Sequence, residues 1–130
     1  MNFDKCPCSG RSLARLLQPA LMSILAREPL HGYLIAQRLR KLTLFRDSSP
    51  DYAGIYRLLN VMEKNGLVQG EWGTAEAGPA KRRYTLTSGG GACMAMWLKT
   101  LKRYRRAIDD LTAALEGRVA KAKRTKGSLR

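Results

Sequence analysis

Residues 49–66 read SPDYAGIYRLLNVMEKNG, and the spacing of their apolar side chains predicts the central helix of this chain. The apolar positions recur at i, i+3, i+4 and i+7, which places one buried stripe along a helix: Ile55, Leu58, Leu59 and Met62. Ser49 is favourable as the N-cap, with Pro50 and Asp51 in the first turn. Asn65-Gly66 is favourable as the left-handed C-terminal end.

The opposite face of this helix is small near its start and polar further along. Ala53 and Gly54 permit close approach to a surface. The polar residues that follow carry groups that hydrogen-bond to phosphates and base edges: Tyr56, Arg57 and Asn60. The face therefore predicts a helix that docks in a groove of DNA, if the flanking elements support the same interpretation.

Two further helices are predicted before the central one. Arg11–Arg27 has apolar side chains at helical spacing, and Pro19 within it predicts a kink or a break. Leu30–Lys41 is the second helix, and Thr43–Ser48 connects it to the third. Three helices of this size with short links, the third with an open polar face, predict a helix-turn-helix core.

Two strand-like segments follow the third helix. Leu67–Trp72 and Arg82–Leu86 alternate in the manner of strands, and a turn rich in glycine and proline separates them. Such a pair after a helix-turn-helix predicts a β-wing. Its return side has three consecutive cations, which are predicted to lie along a DNA backbone and reach the minor groove: Lys81, Arg82 and Arg83. The alternative for these cations is a solvated charge run.

The longest helix is predicted from Thr87 to about Arg118, with a first turn weakened by Gly89–Gly91. Its apolar residues form an unbroken heptad pattern: Met94, Trp97, Leu101, Tyr104, Ile108, Leu111 and Leu115. So small a winged domain cannot cover so long a helix, so a second copy is predicted to pack on it as a two-fold dimer. Packing of the stripe on the first helix is the alternative, and we expect a combination of the two.

The charge of the chain indicates its partner class. Its 130 residues have a formal net charge of +14 and a pI near 10.4. Such a field attracts polyanions, with nucleic acid as the leading class and an anionic membrane surface as the second. No apolar run is long enough to span a bilayer and no signal peptide is recognisable, so we expect a cytoplasmic protein with no membrane partner.

The sequence argues against an enzyme and against a metal site. It has one histidine and neither a nucleophile–base arrangement nor a phosphate-binding glycine loop, so no cofactor is predicted. A closed zinc site would need Cys6 and Cys8 to be joined by two more ligands, such as His31 and Cys93. We therefore predict no metal, interpret His31 as a cap or packing residue, and expect the cysteines to be thiols.

These observations predict a mainly α (α+β) fold: a winged helix-turn-helix with a two-stranded β-wing and a long C-terminal dimerisation helix. The predicted divisions are a flexible cysteine-containing arm at 1–10, the winged helix-turn-helix domain at 11–87 and the dimerisation helix at 88–117. A basic tail, predicted to be disordered, follows at 118–130.

Three segments together resemble the PadR family of bacterial transcriptional regulators. They are ILAREPLHGYLIAQRL at 24–39, AGIYRLLNVMEKNGLV at 53–68 and GPAKRRYTLTSGG at 78–90. The resemblance implies a winged helix-turn-helix dimer that represses transcription at a palindromic operator, joined through its C-terminal helix. It also implies that Tyr56 is the motif tyrosine of the recognition helix, and that Arg82, Arg83 and Tyr84 belong to the return strand of the wing.

The chain departs from the family pattern at two places. The Cys-Pro-Cys lead-in is not part of the common pattern, and Ala53-Gly54 stand where a hydroxyl residue is frequent. Some members respond to phenolic or other planar ligands near the dimer interface. Met94 and Trp97 are the residues at which such an effector is predicted here, with ordinary core packing as the alternative.

The function predicted from these features is a sequence-specific DNA-binding regulator, a homodimeric repressor. The residues predicted to contact double-stranded DNA are Arg38, Arg46, Tyr52, Ala53, Gly54, Tyr56, Arg57, Asn60, Lys64, Lys81, Arg82 and Arg83. The alternatives are a basic module that binds an acidic protein or an anionic membrane, and a regulator controlled by oxidation of Cys6, Cys8 or Cys93.

Overall fold

The computed structural model describes residues 15–46, 50–72 and 81–128, with side chains to residue 124. Its helices are α1 (Leu17–Leu25), α2 (Gly32–Lys41), α3 (Tyr52–Lys64) and α4 (Ser88–Ser128). Its strands are β1 (Leu30–His31), β2 (Val68–Glu71) and β3 (Arg83–Leu86), and a short 3-10 helix spans Thr43–Phe45. The chain forms two compact units, which we call the head (residues 1–95) and the terminal segment (residues 96–130).

The core of the head forms where the apolar stripes of α1, α2 and α3 meet the sheet. Its largest fully buried side chains are Leu21, Met22, Ile35, Leu39, Phe45, Ile55, Leu59, Met62, Val68 and Tyr84. Of the stripe predicted on α3, Ile55, Leu59 and Met62 are buried and Leu58 is half-buried, so that prediction is confirmed. Full burial of one such side chain contributes roughly 1.5–3 kcal/mol relative to exposure, which makes these stripes the main support of the head.

Helix α3 differs from the prediction at its N-terminal end only. Asp51, not Ser49, is the N-cap, and its carboxylate accepts a hydrogen bond from the Gly54 N–H at 2.8 Å. The N-cap prediction was wrong. Aspartate caps a helix as well as serine does, and Asp51, which was predicted for the first turn, takes that position. Gly66 takes the predicted left-handed conformation at φ 76°, and the Leu67 N–H donates to the Met62 carbonyl at 2.9 Å.

The sheet has one strand more than the sequence predicted. The order is β1-β3-β2, with both pairs antiparallel. The wing pair is confirmed, with Val68 opposite Leu86 and Glu71 opposite Arg83. The added strand β1 uses Leu30 and His31, which were predicted as the start of the second helix. Two residues are too few for a period-2 pattern, so only pairing with β3 identifies this strand.

The start of α1 differs from the prediction. The α-helical part of α1 begins at Leu17, and residues 11–14 of the predicted first helix lie outside the described residues. Pro19 is the third residue of α1, where a missing N–H leaves no helical hydrogen bond unmade, so no interior kink is required there.

Helix α4 continues to Ser128, which corrects the predicted boundary near residue 117 and the predicted loss of structure after it. The sequence after Arg118 is rich in alanine and lysine, which are strong helix formers, and reaches no glycine or proline before Gly127. Charge alone was the wrong guide to its conformation. Among the residues described, no helix combines the length and apolar character needed to span a membrane.

Candidate nucleic-acid interface

One face of α3 carries the side chains predicted to contact DNA. Ala53, Arg57, Asn60 and Lys64 are exposed on α3, as is Tyr52 at its first turn. Gly54 and Tyr56 are half-buried beside them. This face has small residues at its N-terminal end and hydrogen-bonding groups along its length, as a helix that enters a DNA groove requires.

Gly54 has a structural reason within the helix cap. A Cβ at this position would lie 2.8 Å from Asp51 Oδ1, the atom that accepts the hydrogen bond from the Gly54 N–H. A larger side chain would therefore displace the carboxylate that caps α3. Glycine at position 54 therefore leaves room for the carboxylate of Asp51 at the N-cap.

An aromatic and cationic stack lies at the N-terminal end of the same face. The rings of Tyr52 and Tyr56 are stacked with centroids 6.2 Å apart and an interplanar angle of 20°. The guanidinium of Arg40, in the last turn of α2, lies 4.4 Å from the centroid of the Tyr52 ring. A cation over an aromatic face is held in place while its edge N–H groups stay free to donate.

Arg40 is not among the contact residues predicted from the sequence. Its pairing with Tyr52 crosses the connection between α2 and α3, so no spacing within one helix signals it. Partial burial, followed by the proximity of Tyr52 and Tyr84, raises the pKa of Tyr56. The Tyr56 hydroxyl therefore stays protonated at neutral pH and is able to donate a hydrogen bond.

Arg38 and Arg46 lie outside this stack. Arg38 Nη1 donates to Glu28 Oε1 at 2.7 Å, in a pair whose side chains are 43% and 52% exposed. An ion pair this exposed is weak, so it leaves Arg38 free to exchange Glu28 for a stronger anion. Arg46 is exposed at the end of the 3-10 helix.

The three cations at the return side of the wing do not share one environment. Lys81 and Arg83 are exposed, as predicted for phosphate contacts. Arg82 is half-buried, and its guanidinium is bonded to Glu63 at 2.5 and 2.9 Å. Both Nη atoms of Arg82 are therefore bonded within the head, and its contact with phosphate stays a prediction. The wing turn at residues 73–80 lies outside the described residues.

The heptad residues of α4 change from partial burial to exposure along the helix. Met94, Trp97 and Leu101 are half-buried. The later stripe residues are between 49% and 60% exposed: Tyr104, Ile108, Leu111 and Leu115. Val119, four residues after Leu115, is also 53% exposed, but the next heptad position after Leu115 is Arg118.

The histidine and the cysteines form no metal site in the part of the chain that the structure describes. No group of three or more histidine, cysteine, aspartate and glutamate side chains is placed there to hold an ion. Cys93 is a half-buried thiol, and Cys6 and Cys8 lie outside the described residues. His31 is the N-cap residue of α2, in an extended conformation; it is half-buried, and its side chain makes no capping hydrogen bond.

The fold is similar to that of several solved regulators. A putative transcriptional regulator from Thermoplasma acidophilum has 27% sequence identity and a TM-score of 0.65, over 79% of this chain and 96% of that chain. A PadR family transcription regulator from Clostridium difficile has 20% identity and a TM-score of 0.62, over 74% and 97%. PadR of Bacillus subtilis, solved in complex with operator DNA, has 26% identity and a TM-score of 0.55, over 65% of this chain and 46% of that one.

The winged helix-turn-helix fold, with its long C-terminal helix, is thus shared with these neighbours. No curated protein matches the chain in sequence. The model of the PadR-like family of transcriptional regulators matches residues 21–96, which is more than half of the chain. That interval contains α2, α3, all three strands and the first turns of α4. The chain therefore belongs to the PadR-like family of transcriptional regulators.

Proposed function

We propose that the protein is a homodimeric repressor that binds a specific DNA sequence. The observation that carries this proposal is the exposed polar face of α3, with Arg57, Asn60 and Lys64 on it and Arg40 beside its N-terminal end. The Bacillus subtilis relative that was solved with operator DNA supports the choice of ligand. The formal net charge of +14 supports the same choice, because it favours association with a polyanion.

The residues on this face divide by their chemistry into two roles. Arg57 is a planar bidentate donor and Asn60 has an amide that both donates and accepts, so both suit base edges in the major groove. Phosphate contact is assigned to the exposed cations around them: Arg38, Arg40, Arg46, Lys64, Lys81 and Arg83. Tyr52 and Tyr56 position the N-terminal end of α3 and supply hydroxyl donors, while Ala53 and Gly54 permit close approach.

Dimerisation is proposed through the apolar stripe of α4. A two-fold dimer presents two identical recognition helices, so the operator should be palindromic with half-sites about one helical turn, or a multiple, apart. Selection of bound duplexes from a random library tests this directly. A selected sequence without two-fold symmetry would contradict the dimeric mode of binding.

A salt titration tests the electrostatic part of the proposal. The logarithm of the association constant should fall linearly with the logarithm of salt concentration, with a slope of roughly −0.9 per neutralised phosphate. Fluorescence anisotropy with a labelled duplex provides the measurement. A flat titration would argue against phosphate binding and for a partner other than DNA.

Two variants separate base readout from phosphate contact. Arg57→Ala should reduce discrimination between the selected sequence and a mismatched one by roughly 1–3 kcal/mol. Lys81→Ala should weaken binding to both duplexes alike. It should also reduce the slope of the salt titration by the contribution of about one phosphate contact. If the two variants behave in the same way, the assignment of roles is wrong.

A planar or phenolic effector is proposed to act near Met94 and Trp97, the half-buried residues at the start of the heptad stripe. An aromatic ligand that stacks on the indole would quench its fluorescence. A Trp72→Phe background leaves Trp97 as the single tryptophan of the chain. A phenolic compound that releases DNA without altering Trp97 fluorescence would place the effector site elsewhere.

A further inference from the structure

One ion pair joins the C-terminal part of α3 to both strands of the wing. Arg82, the residue before β3, donates from Nη1 to Glu63 Oε1 at 2.5 Å and from Nη2 to Glu63 Oε2 at 2.9 Å. The same Nη2 donates to the Gly70 carbonyl of β2 at 2.9 Å, and the Gly70 N–H donates to Glu63 Oε2 at 3.0 Å. The Glu63 carboxylate therefore contacts β2 and the residue that leads into β3 at the same time.

This pair is built into the head more firmly than the other ion pair described. The side chains of Arg82 and Glu63 are 17% and 28% exposed, against 43% and 52% for Arg38 and Glu28. The Arg82 guanidinium also lies 5.3 Å from the ring centroid of Trp72 and 5.7 Å from that of Tyr84. Bidentate hydrogen bonding and partial burial both strengthen an arginine–carboxylate pair and fix its geometry.

The Arg82 hydrogen bonds are the leading cause that lowers the pKa of Glu63, and they outweigh the opposing effect of burial. Glu63 is therefore a carboxylate at neutral pH, on the helix that is proposed to enter the DNA groove. An acidic residue close to DNA repels phosphate unless it serves another purpose. The contacts with Gly70 and Arg82 supply that purpose.

We propose that Glu63 and Arg82 are positioning residues that set the wing against the recognition helix α3, so that one duplex is bound by both at once. The inference depends on the proposed function. In this role Arg82 does not contact phosphate, and its exposed neighbours Lys81 and Arg83 do. Two contact surfaces that are held in register bind with a smaller loss of conformational freedom than two that move independently.

The role predicts opposite signs for one substitution. Glu63→Gln removes a negative charge, so it would tighten DNA binding if Arg82 were a phosphate contact that Glu63 restrains. If the pair positions the wing, Glu63→Gln weakens binding, by roughly 3- to 30-fold, in spite of the added net positive charge. The Arg38 pair supplies a matched control, because Glu28→Gln makes the same change in charge and should leave affinity equal or higher.

The experiment measures anisotropy and hydroxyl-radical footprints of the full-length dimer on the duplex selected from the random library. For Glu63→Gln we expect weaker binding, retained protection of the backbone on either side of the groove that α3 enters, and lost protection at the flanking positions covered by the wing. Binding as tight as that of the wild-type protein or of Glu28→Gln would overturn the inference. So would a lower melting temperature with unchanged affinity per active molecule and an unchanged footprint, since the pair would then be merely structural.

Two further variants cover the case in which Glu63→Gln does not fold. Arg82→Lys keeps the charge and removes the bidentate hydrogen bonds to Glu63, so it should weaken DNA binding. Unchanged affinity would favour a phosphate contact by residue 82. Gly70→Ala places a Cβ 2.7 Å from Arg82 Cζ and displaces the guanidinium with no change of charge, so it should lose the same flanking protection. If the wild-type protein binds no duplex at all, the proposed function fails, which is distinct from wild-type binding that these variants leave unaltered.

Discussion

The head and the terminal segment place their apolar side chains in opposite environments. In the head, leucine, isoleucine and methionine side chains from three helices and the sheet converge on one core, and ten large side chains are fully buried among the residues that the structure describes there. In the terminal segment, Tyr104, Ile108, Leu111 and Leu115 recur just as regularly but are about half exposed. Both regions have the periodicity of a buried helix, yet only the head contains the elements that cover it.

This difference separates two meanings of one sequence pattern. An apolar stripe states that a helix has a face to bury, but it does not state which chain provides the cover. The head satisfies its stripes internally. An isolated helix with an exposed stripe is marginal in water, so we expect the terminal segment to gain stability by packing against another helix. A second copy of α4 is the partner that the heptad spacing favours, which makes dimerisation the first point to test.

The largest expected effect comes from a charge in the middle of the stripe. Leu111→Asp should dissociate the dimer, because an unpaired carboxylate cannot be buried in an apolar seam. Loss of the second head removes bivalent binding, so affinity for a palindromic duplex should fall by a factor on the order of 10²–10⁴. Analytical ultracentrifugation and anisotropy on the same samples measure both quantities.

Met96→Asp is the matched control for this change, because Met96 is an apolar residue of the same helix that is 61% exposed and lies off the stripe. It should leave both the dimer and the affinity in place. If Leu111→Asp remains dimeric, the stripe is not the interface. If Met96→Asp dissociates as readily, a different face of α4 is used.

The second effect tests how tightly the head is packed where α4 begins. A Cβ on Gly90 would collide with the Leu67 carbonyl oxygen and lie 2.6 Å from Leu86 Cδ1. Gly90→Ala should therefore destabilise the head by roughly 1–3 kcal/mol, since the obstacle includes backbone and cannot rotate away. Gly91 has no atom within 4 Å of such a Cβ, so Gly91→Ala should stabilise the helix by up to about 1 kcal/mol. Thermal and urea denaturation measure the two shifts.

The two glycines are adjacent and equally unfavourable in a helix by propensity, so the pair isolates the effect of packing. A stabilising Gly90→Ala would mean that α4 does not approach the wing as closely as this geometry requires. A destabilising Gly91→Ala would mean that this position is covered in the assembled protein. In that second case, cover from another part of the assembled protein would reach α4 as early as residue 91.

The sequence predicted most of what depends on local spacing. The stripe of α3, the glycine at its C-terminal end and the two wing strands all follow from periods and turn residues within one short segment. The heptad stripe also follows from local spacing, and its role as a dimer interface stays a prediction. These features require no knowledge of how distant segments meet.

What the sequence could not predict depends on pairing between segments. The two residues of β1 form a strand only because β3 lies beside them. Arg40 stacks on Tyr52 and Arg82 bonds Glu63, and in both cases the partners belong to different elements. A run of three cations therefore looked uniform in sequence, although the fold uses Arg82 internally and leaves Lys81 and Arg83 exposed. The end of α4 was misplaced for another reason, because positive charge was given more weight than helix propensity.

A third prediction, of smaller size, concerns the cap of α3. Asp51→Ala should destabilise the head by about 1 kcal/mol, because the Gly54 N–H loses its acceptor at the end of the helix. Ser49→Ala is the control, since Ser49 is not the residue that caps α3. Chemical denaturation of the two variants provides the comparison. A larger loss for Ser49→Ala would return the capping role to Ser49 and move the start of the helix.

The smallest expected effect is a pH dependence confined to the head. The hydrogen bonds from Arg82 hold the pKa of Glu63 below its ordinary value in the folded protein. A carboxylate whose folded pKa is depressed contributes stability that is fully present above its unfolded pKa and is lost as pH falls through the folded pKa. The wild-type protein should therefore be more stable than Glu63→Gln at neutral pH, and the difference should shrink as the pH falls through the depressed pKa of Glu63.

Urea denaturation of both proteins between neutral pH and the acid range measures this difference, with Glu28→Gln as the control whose exposed pair should contribute little at any pH. The comparison is one of differences, so titration of the other carboxylates cancels between the variants. A gap between wild type and Glu63→Gln that stays constant into acid would mean that the ionised pair is not what Glu63 contributes. The loss would then come from the shape of the side chain, and the junction between α3 and the wing would depend on packing in the same way as the rest of the head.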